Sequence, residues 1–416
     1  MIDYQNFTLD NGLRVFVHQD ITLPTATVNL LYNVGSRDED ENKTGFAHLF
    51  EHLMFGGSKH IPSYDEPLQL VGGENNAFTS PDITNYYISL PAENLETAFW
   101  LESDRMLSLS FDPKVLDVQR KVVIEEYKQQ YLNQPYGDAL IRQKALAYKV
   151  HPYRWPTIGR DISHIADARM EDVQAFFYKF YRPNNAILVV AGNVVYDDVR
   201  RLSEKWFGPI PAGEKYLRRL PAEPVQKEKR EEHVEADVPV DAIYKSFHIP
   251  GRLDERYYAA DLLSDILGRG KSARLYSELV KKRKLFSSIS AYVSGSVDPG
   301  LLTIQGKLSK GVKPEEGEAG INEVTEAIRA GDFSEEELQK VKNQSESSIV
   351  FSELELLNRA VNLAYGALLG NPDLINQESE LVQKVNKEDI KKLAQTVLTE
   401  ENNSTLFYHA KDKAED

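Results

Sequence analysis

Apolar and polar residues alternate in short runs near the start of the chain, as in Leu13-Arg14-Val15-Phe16-Val17 and Ala26-Thr27-Val28-Asn29-Leu30-Leu31, and long amphipathic stretches follow them. The alternation predicts strands, and the longer amphipathic period predicts helices packed against them, so mixed α and β elements in layers are expected. The pattern breaks between Pro211 and Val238, where PAGEKYLRRLPAEPVQKEKREEHVEADV is charged and contains proline, the composition of a solvated linker between two bodies. With 416 residues the chain is long enough to build more than one core. The expected organisation is a domain over 1–212, a linker over 213–237 and a second domain over 238–416.

The two bodies read as copies of one unit. DVQAFFYKFYRPNNAILVV, from Asp172, recurs 217 residues later as DIKKLAQTVLTEENNSTLFY, from Asp389. Asn184-Asn185 and Asn402-Asn403 are offset by 218, and Phe111-Asp112 and Phe333-Ser334, each opening a predicted helix, by 222. Such steady offsets mark a duplicated domain.

The segment TGFAHLFEHLMFGG places Phe46, Leu49, Phe50, Leu53 and Met54 on one stripe of a helix that Gly56-Gly57 can end. His48, Glu51 and His52 fall on the opposite stripe. An i, i+4 pair of imidazoles can grip one ion while the Glu between them reaches a bound water. A catalytic zinc site needs a third protein ligand, and PKVLDVQRKVVIEEYKQQ supplies a candidate. On a helical wheel Val115, Val118, Val122 and Val123 form a stripe with Glu126 near its centre and Glu125 toward its edge. A carboxylate buried there requires a proton or a cation, so Glu126 rather than Glu125 is the expected ligand.

Composition narrows the chemistry. Cysteine is absent, which removes disulfides, thiolate sites and Cys nucleophiles and leaves nitrogen and oxygen as the only metal donors. A net charge of −15 repels phosphate backbones and anionic lipid, so neither nucleic acid nor a membrane surface is an expected partner. No apolar run approaches the roughly 20 residues of a membrane span, and MIDYQNFTLDNGLRVFVHQD lacks the basic-then-apolar order of a secretory signal. Cytoplasmic placement is the default expectation, with periplasm or secretion as the alternative if a signal peptide has been removed.

Taken together the residues resemble the inverted zincins, whose H-x-x-E-H reads HLFEH here. More narrowly, the chain resembles the pitrilysin family, which includes insulin-degrading enzyme and the mitochondrial processing peptidase, over essentially its whole length. The matching blocks are TLDNGLRVFVHQD, HLFEHLMFGG, GGENNAFTSPDITNYY, VVIEE, HPYRWPTIG and YRPNNAILVVAGNV. The resemblance implies an α+β fold of two homologous half-units, each a mostly antiparallel sheet with helices packed on one face. It also implies one zinc per chain held by His48, His52 and Glu126, with Glu51 as general base on a zinc-bound water in an endopeptidase acting on peptides or unfolded segments. Asn76 and Ala77, in NAFTS, match the family's edge-strand segment, which takes an extended substrate as an added strand.

Family members work as two such units closing around a chamber, and those of this size usually take the second unit from another chain. The expected partner is therefore a metal-free homologous chain, with a homodimer as the alternative. Two departures from the family pattern bear on this. Gln119 stands where the family helix usually carries a second acid. Aligning LYSELVKKRKLFSSISAY puts Val280 and Ser287 where the family often has an Arg and a Tyr that stabilise the oxyanion, so a partner would supply that pair. The second half keeps no metal set, because Ala260, Leu263 and Ser264 replace His48, Glu51 and His52, and Ser348 replaces Glu126. The rival readings are a non-catalytic core subunit of the same fold that retains a metal site, and a metal-dependent hydrolase acting on other bonds.

Overall fold

The computed structural model describes residues 1–411. Two compact units are present, each assembled from three stretches of chain around its own sheet. No helix among the described residues is long and apolar enough to cross a membrane.

The first unit comprises residues 1–127, 155–220 and 350–377. Its strands are β1 (Gln5–Thr8), β2 (Arg14–Gln19), β3 (Thr25–Tyr32), β4 (Glu74–Thr79), β5 (Thr84–Pro91) and β6 (Ala186–Gly192), in the order β1-β2-β6-β3-β5-β4. All neighbours are antiparallel except β2 and β6. The sequence AILVVAG of β6 is buried at every position, so both faces of the sheet must be covered. On one face Ile187, Val189 and Ala191 pack with Leu356, Ala360 and Leu363 of the helix Leu356–Leu368. The other face, which carries Tyr32 and Tyr86, meets α1 (Phe46–Leu53) and α2 (Leu95–Leu107), and α3 (Pro113–Tyr127) lies beside α1. The expected single helical face is thus doubled here, because the central strands send apolar side chains in both directions.

The second unit comprises residues 128–154, 221–349 and the chain from Glu378 onward. It contains β7 (Arg230–Ala236), β8 (Ala242–Ile249), β9 (Phe286–Val293), β10 (Gly300–Leu308) and β11 (Asn403–Ala410), in the order β7-β11-β8-β10-β9 with β7 and β11 parallel. That order reproduces β2-β6-β3-β5-β4 strand for strand, with β1 as the one addition. Thr25 opens β3 and Ala242 opens β8, an offset of 217, while Thr84 and Gly300 open β5 and β10 at an offset of 216. The duplication visible in helix and strand segments therefore extends to sheet connectivity.

Two expectations about organisation are corrected. Residues 128–154 belong with the second unit and 350–377 with the first, so neither unit is a single continuous stretch. The supposed linker is also structured. Tyr216 and Arg218 donate to the Asp38 carboxylate at 3.0 and 2.7 Å, and Glu223 accepts the backbone N–H groups of Lys149, Val150 and His151. Arg230–Ala236 forms β7, whose residues alternate between half-buried and exposed. Charge conceals such a strand from a reading by composition, because an edge strand tolerates charged side chains.

Helix α4 (Tyr257–Gly268) of the second unit carries Asp261 and Asp265 one turn apart. Burial, and then the neighbouring Asp265 charge, push the Asp261 carboxyl from an ordinary 3.8 up to about 6. The folded chain therefore holds a proton that the unfolded chain releases at lower pH. The stabilisation is complete below the unfolded value and is lost as pH rises through the folded one. Asp261→Asn should be more stable than the parent at pH 7.5 by on the order of 1–2 kcal/mol, with no gain near pH 4, as urea midpoints at the two pH values would show.

Candidate metal centre

Helix α1 carries the HLFEH pentad, and its start is tightly specified. Gly45 caps it at φ 90°, a conformation open to glycine at little cost, and a Cβ there would lie 2.6 Å from the Ile158 carbonyl oxygen. The buried Glu39 carboxyl accepts the N–H groups of Gly45 at 2.9 Å and Ala47 at 2.8 Å, satisfying donors that a helix leaves open at its first turn. Burial pushes this carboxyl well above its usual range, and those two bonds act in the opposite direction. The same loop grips the turn between β4 and β5. Arg37 N–H donates to the Pro81 carbonyl at 3.0 Å, and the Arg37 side chain pairs with Asp82 at 2.9 Å with both groups buried. One loop, 35–39, thereby locates both the helix and the hairpin.

Beneath α1, Phe50 stacks on Tyr181 at 5.2 Å, and the Tyr181 and Tyr86 hydroxyls lie 3.3 Å apart. The guanidinium of fully buried Arg105, on α2, sits 4.5 Å from the Tyr86 ring and 4.6 Å from that of Tyr64. Its Nε donates to Glu102 at 2.8 Å, and Tyr64 donates to the same carboxylate at 2.9 Å. A charge this deep is tolerable only because it is paired and lies against aromatic faces.

On the opposite side of α1, His48 Nε2 lies 3.7 Å and His52 Nε2 3.6 Å from Glu126 Oε2, and one ligand atom from each residue falls within 4.8 Å of the others. These gaps exceed a charged hydrogen bond, which is about 2.8 Å. They approach the separation of about 3.4 Å between ligands that surround a tetrahedral zinc at 2.0–2.1 Å. The two imidazole planes stand at 83° with centroids 4.9 Å apart. Burial lowers the His48 pKa, which keeps its lone pair available, and Glu126 opposes that shift. Its Nδ1 is buried without a hydrogen-bond partner among the described residues. Two imidazoles and one carboxylate form a nitrogen and oxygen donor set that fits zinc.

Glu126 does not lie in a buried valine stripe as expected. Val118 and Val122 are 53% and 44% exposed, and the buried face of α3 runs instead through Leu116, Val123 and Tyr127. The Glu126 side chain is 30% exposed, so it borders the buried face rather than lying under it. Glu125 does not belong to the cluster. Gln119 lies earlier on α3 and is half-buried.

Glu51 accepts a hydrogen bond from Thr79 Oγ1 at 2.6 Å, a partner that the sequence reading passed over although Thr79 lies inside NAFTS. Asn76 and Ala77 lie on β4, the edge strand of the first sheet, where Asn76 Oδ1 accepts the Ala77 N–H at 2.8 Å. In the second unit Ala260, Leu263 and Ser264 are buried on α4, and Val280 packs against the core. Exposed Ser287 donates to the Lys307 carbonyl. Ser348, on α5 (Glu335–Ser352), accepts from Arg269 at 2.7 Å, and Arg269 also pairs with Asp265 at 2.8 Å.

Known proteins share the family profile and the fold of this chain. The profile described as Insulinase (Peptidase family M16) matches residues 14–153, and that described as Peptidase M16 inactive domain matches residues 167–345. Zinc protease PqqE of Helicobacter pylori is 32% identical over 374 residues, covering 88% of this chain and 84% of that protein. The protein named uncharacterized zinc protease YmxG of Bacillus subtilis is 26% identical over 404 residues, covering 95% and 96%. The crystal structure of a protease from Helicobacter pylori superposes with a TM-score of 0.93 at 28% identity, covering 98% of this chain and 100% of that one. A peptidase M16 inactive domain from Pseudomonas fluorescens gives a TM-score of 0.88 at 17% identity, with 98% of each chain covered, a likeness of fold.

The buried pair under α1 yields a direct expectation. Glu102→Gln leaves the Arg105 guanidinium uncompensated and should cost about 3–5 kcal/mol of stability, read as a fall in the urea midpoint.

Proposed function

The chain belongs to the insulinase family of M16 peptidases, and on that footing we propose that it is a zinc metalloendopeptidase in which Glu51 is the general base. The observation that carries this reading is the convergence of His48 Nε2, His52 Nε2 and Glu126 Oε2 beside the same helix face as Glu51. These three residues would hold the ion. When bound, zinc supplies a Lewis acid that polarises a carbonyl and makes water more acidic. His48 contributes a neutral imidazole, and Glu126 brings a negative charge that offsets part of the ion's. Glu51 takes the proton of the attacking water and passes it to the leaving amine.

Substrate is a peptide or unfolded segment. Asn76 and Ala77 would receive it as an added strand on β4, where the Ala77 N–H leaves Asn76 Oδ1 to bond the substrate backbone. The charge of −15 favours cationic segments. Since Val280 and Ser287 provide no oxyanion donors of the expected kind, the working species in this reading pairs the chain with a metal-free homologue that contributes an Arg and a Tyr. A homodimer is the alternative.

Metal analysis of the purified chain together with a quenched-peptide assay tests the reading. Glu51→Gln should retain one zinc per chain and lose turnover by roughly 10²–10⁴-fold, and cleavage at the parent rate would remove Glu51 from its role. Glu126→Gln should weaken zinc binding by at least roughly tenfold, whereas Glu125→Gln should leave it unchanged. Cleavage that appears only when the homologous chain is added supports the two-chain enzyme, and full activity of the chain alone contradicts it. Bound zinc with no cleavage in either mixture favours a non-catalytic core subunit.

A further inference from the structure

Glu51 extends from the middle of α1 on a long flexible side chain, and among the described residues no hydrogen bond from that helix holds its carboxylate. The bond that does so comes from another element, with Thr79 Oγ1 donating to Glu51 Oε2 at 2.6 Å, a length typical of a hydroxyl on a charged carboxylate. Thr79 is the last residue of β4 and pairs with Thr84 across the hairpin. The turn between them is closed by the Ser80 N–H on the Ile83 carbonyl at 2.8 Å, and Ser80 Oγ accepts the N–H groups of Asp82 and Ile83. The buried Arg37–Asp82 pair anchors that turn to the loop that also caps α1. The hydroxyl is therefore presented by a braced element whose distance from α1 is set independently of Glu51.

We propose that Thr79 is a positioning residue for Glu51. It occupies Oε2 and leaves Oε1 as the oxygen available for proton transfer, holding the carboxylate in one orientation beside His48, His52 and Glu126. The proposal rests on the role given to Glu51 above.

Thr79→Val keeps the branched shape and removes the hydroxyl, whereas Thr79→Ser keeps the hydroxyl and removes the methyl. In whichever assay the parent cleaves peptide, the Val variant should keep its zinc stoichiometry and its KM within about twofold while kcat falls about 10–100-fold. The Ser variant should return to within about threefold of the parent kcat. Crystal structures of the zinc-loaded chains should show one Glu51 carboxylate orientation in the parent and a displaced or multiple one in Thr79→Val. Undiminished kcat in the Val variant, an equal loss in both variants, or an unmoved Glu51 carboxylate would each overturn the proposal. If the parent cleaves no peptide, the peptidase reading fails, and the crystallographic comparison still decides what Thr79 does.

Discussion

Two backbone N–H groups and one buried carboxyl decide where α1 begins, and the chemistry of the first unit is referred to that point. Glu39 receives Gly45 and Ala47, and Gly45 can adopt its turn because no side chain collides with Ile158. A shift of the helix start by one residue would rotate the pentad by roughly 100° and carry both imidazoles away from Glu126. The loop that makes the cap also holds the β4–β5 turn through Arg37 and Asp82. Helix and strand are thus fixed to each other by buried polar contacts, which demand better geometry than apolar packing does.

Much of this was readable from residue order. The spacing of His48, Glu51 and His52 places three titratable groups on one helix face, and the repeated segments foretell two sheets of one topology. What escaped was set by tertiary partners. The stripe through Val118 and Val122 is exposed, since the wheel of α3 shows which residues share a face but not which face meets α1. Arg230–Ala236 is a strand because β11 lies beside it, a pairing more than 170 residues distant that composition does not report. Glu39 and Thr79 look ordinary in sequence, one among several acids and one in an edge strand. Their meaning comes from where α1 and the hairpin turn happen to lie.

The duplicated units differ at corresponding places. In the first, two imidazoles and a carboxylate converge without touching. In the second, Ser264 stands in the place of His52 and Ser348 in that of Glu126, and the Arg269 guanidinium bonds to Ser348 and to Asp265, the residue after Ser264. Two nitrogens of one guanidinium thus tie Asp265 on α4 to Ser348 on α5 there. One scaffold supports either arrangement because the sheet beneath is the same, and the difference lies in a few helix positions.

β4 forms the outer edge of its sheet, and Asn76 turns its amide oxygen back onto the following Ala77 N–H. A bare edge invites any extended chain, including another copy of the same protein, and is the usual starting point for runaway sheet growth. Here a self-made bond must break before a new strand can register. The same bond discourages clumping between copies, and in the proposed reading it would yield only to a strand whose side chains add enough contact to displace a resident amide.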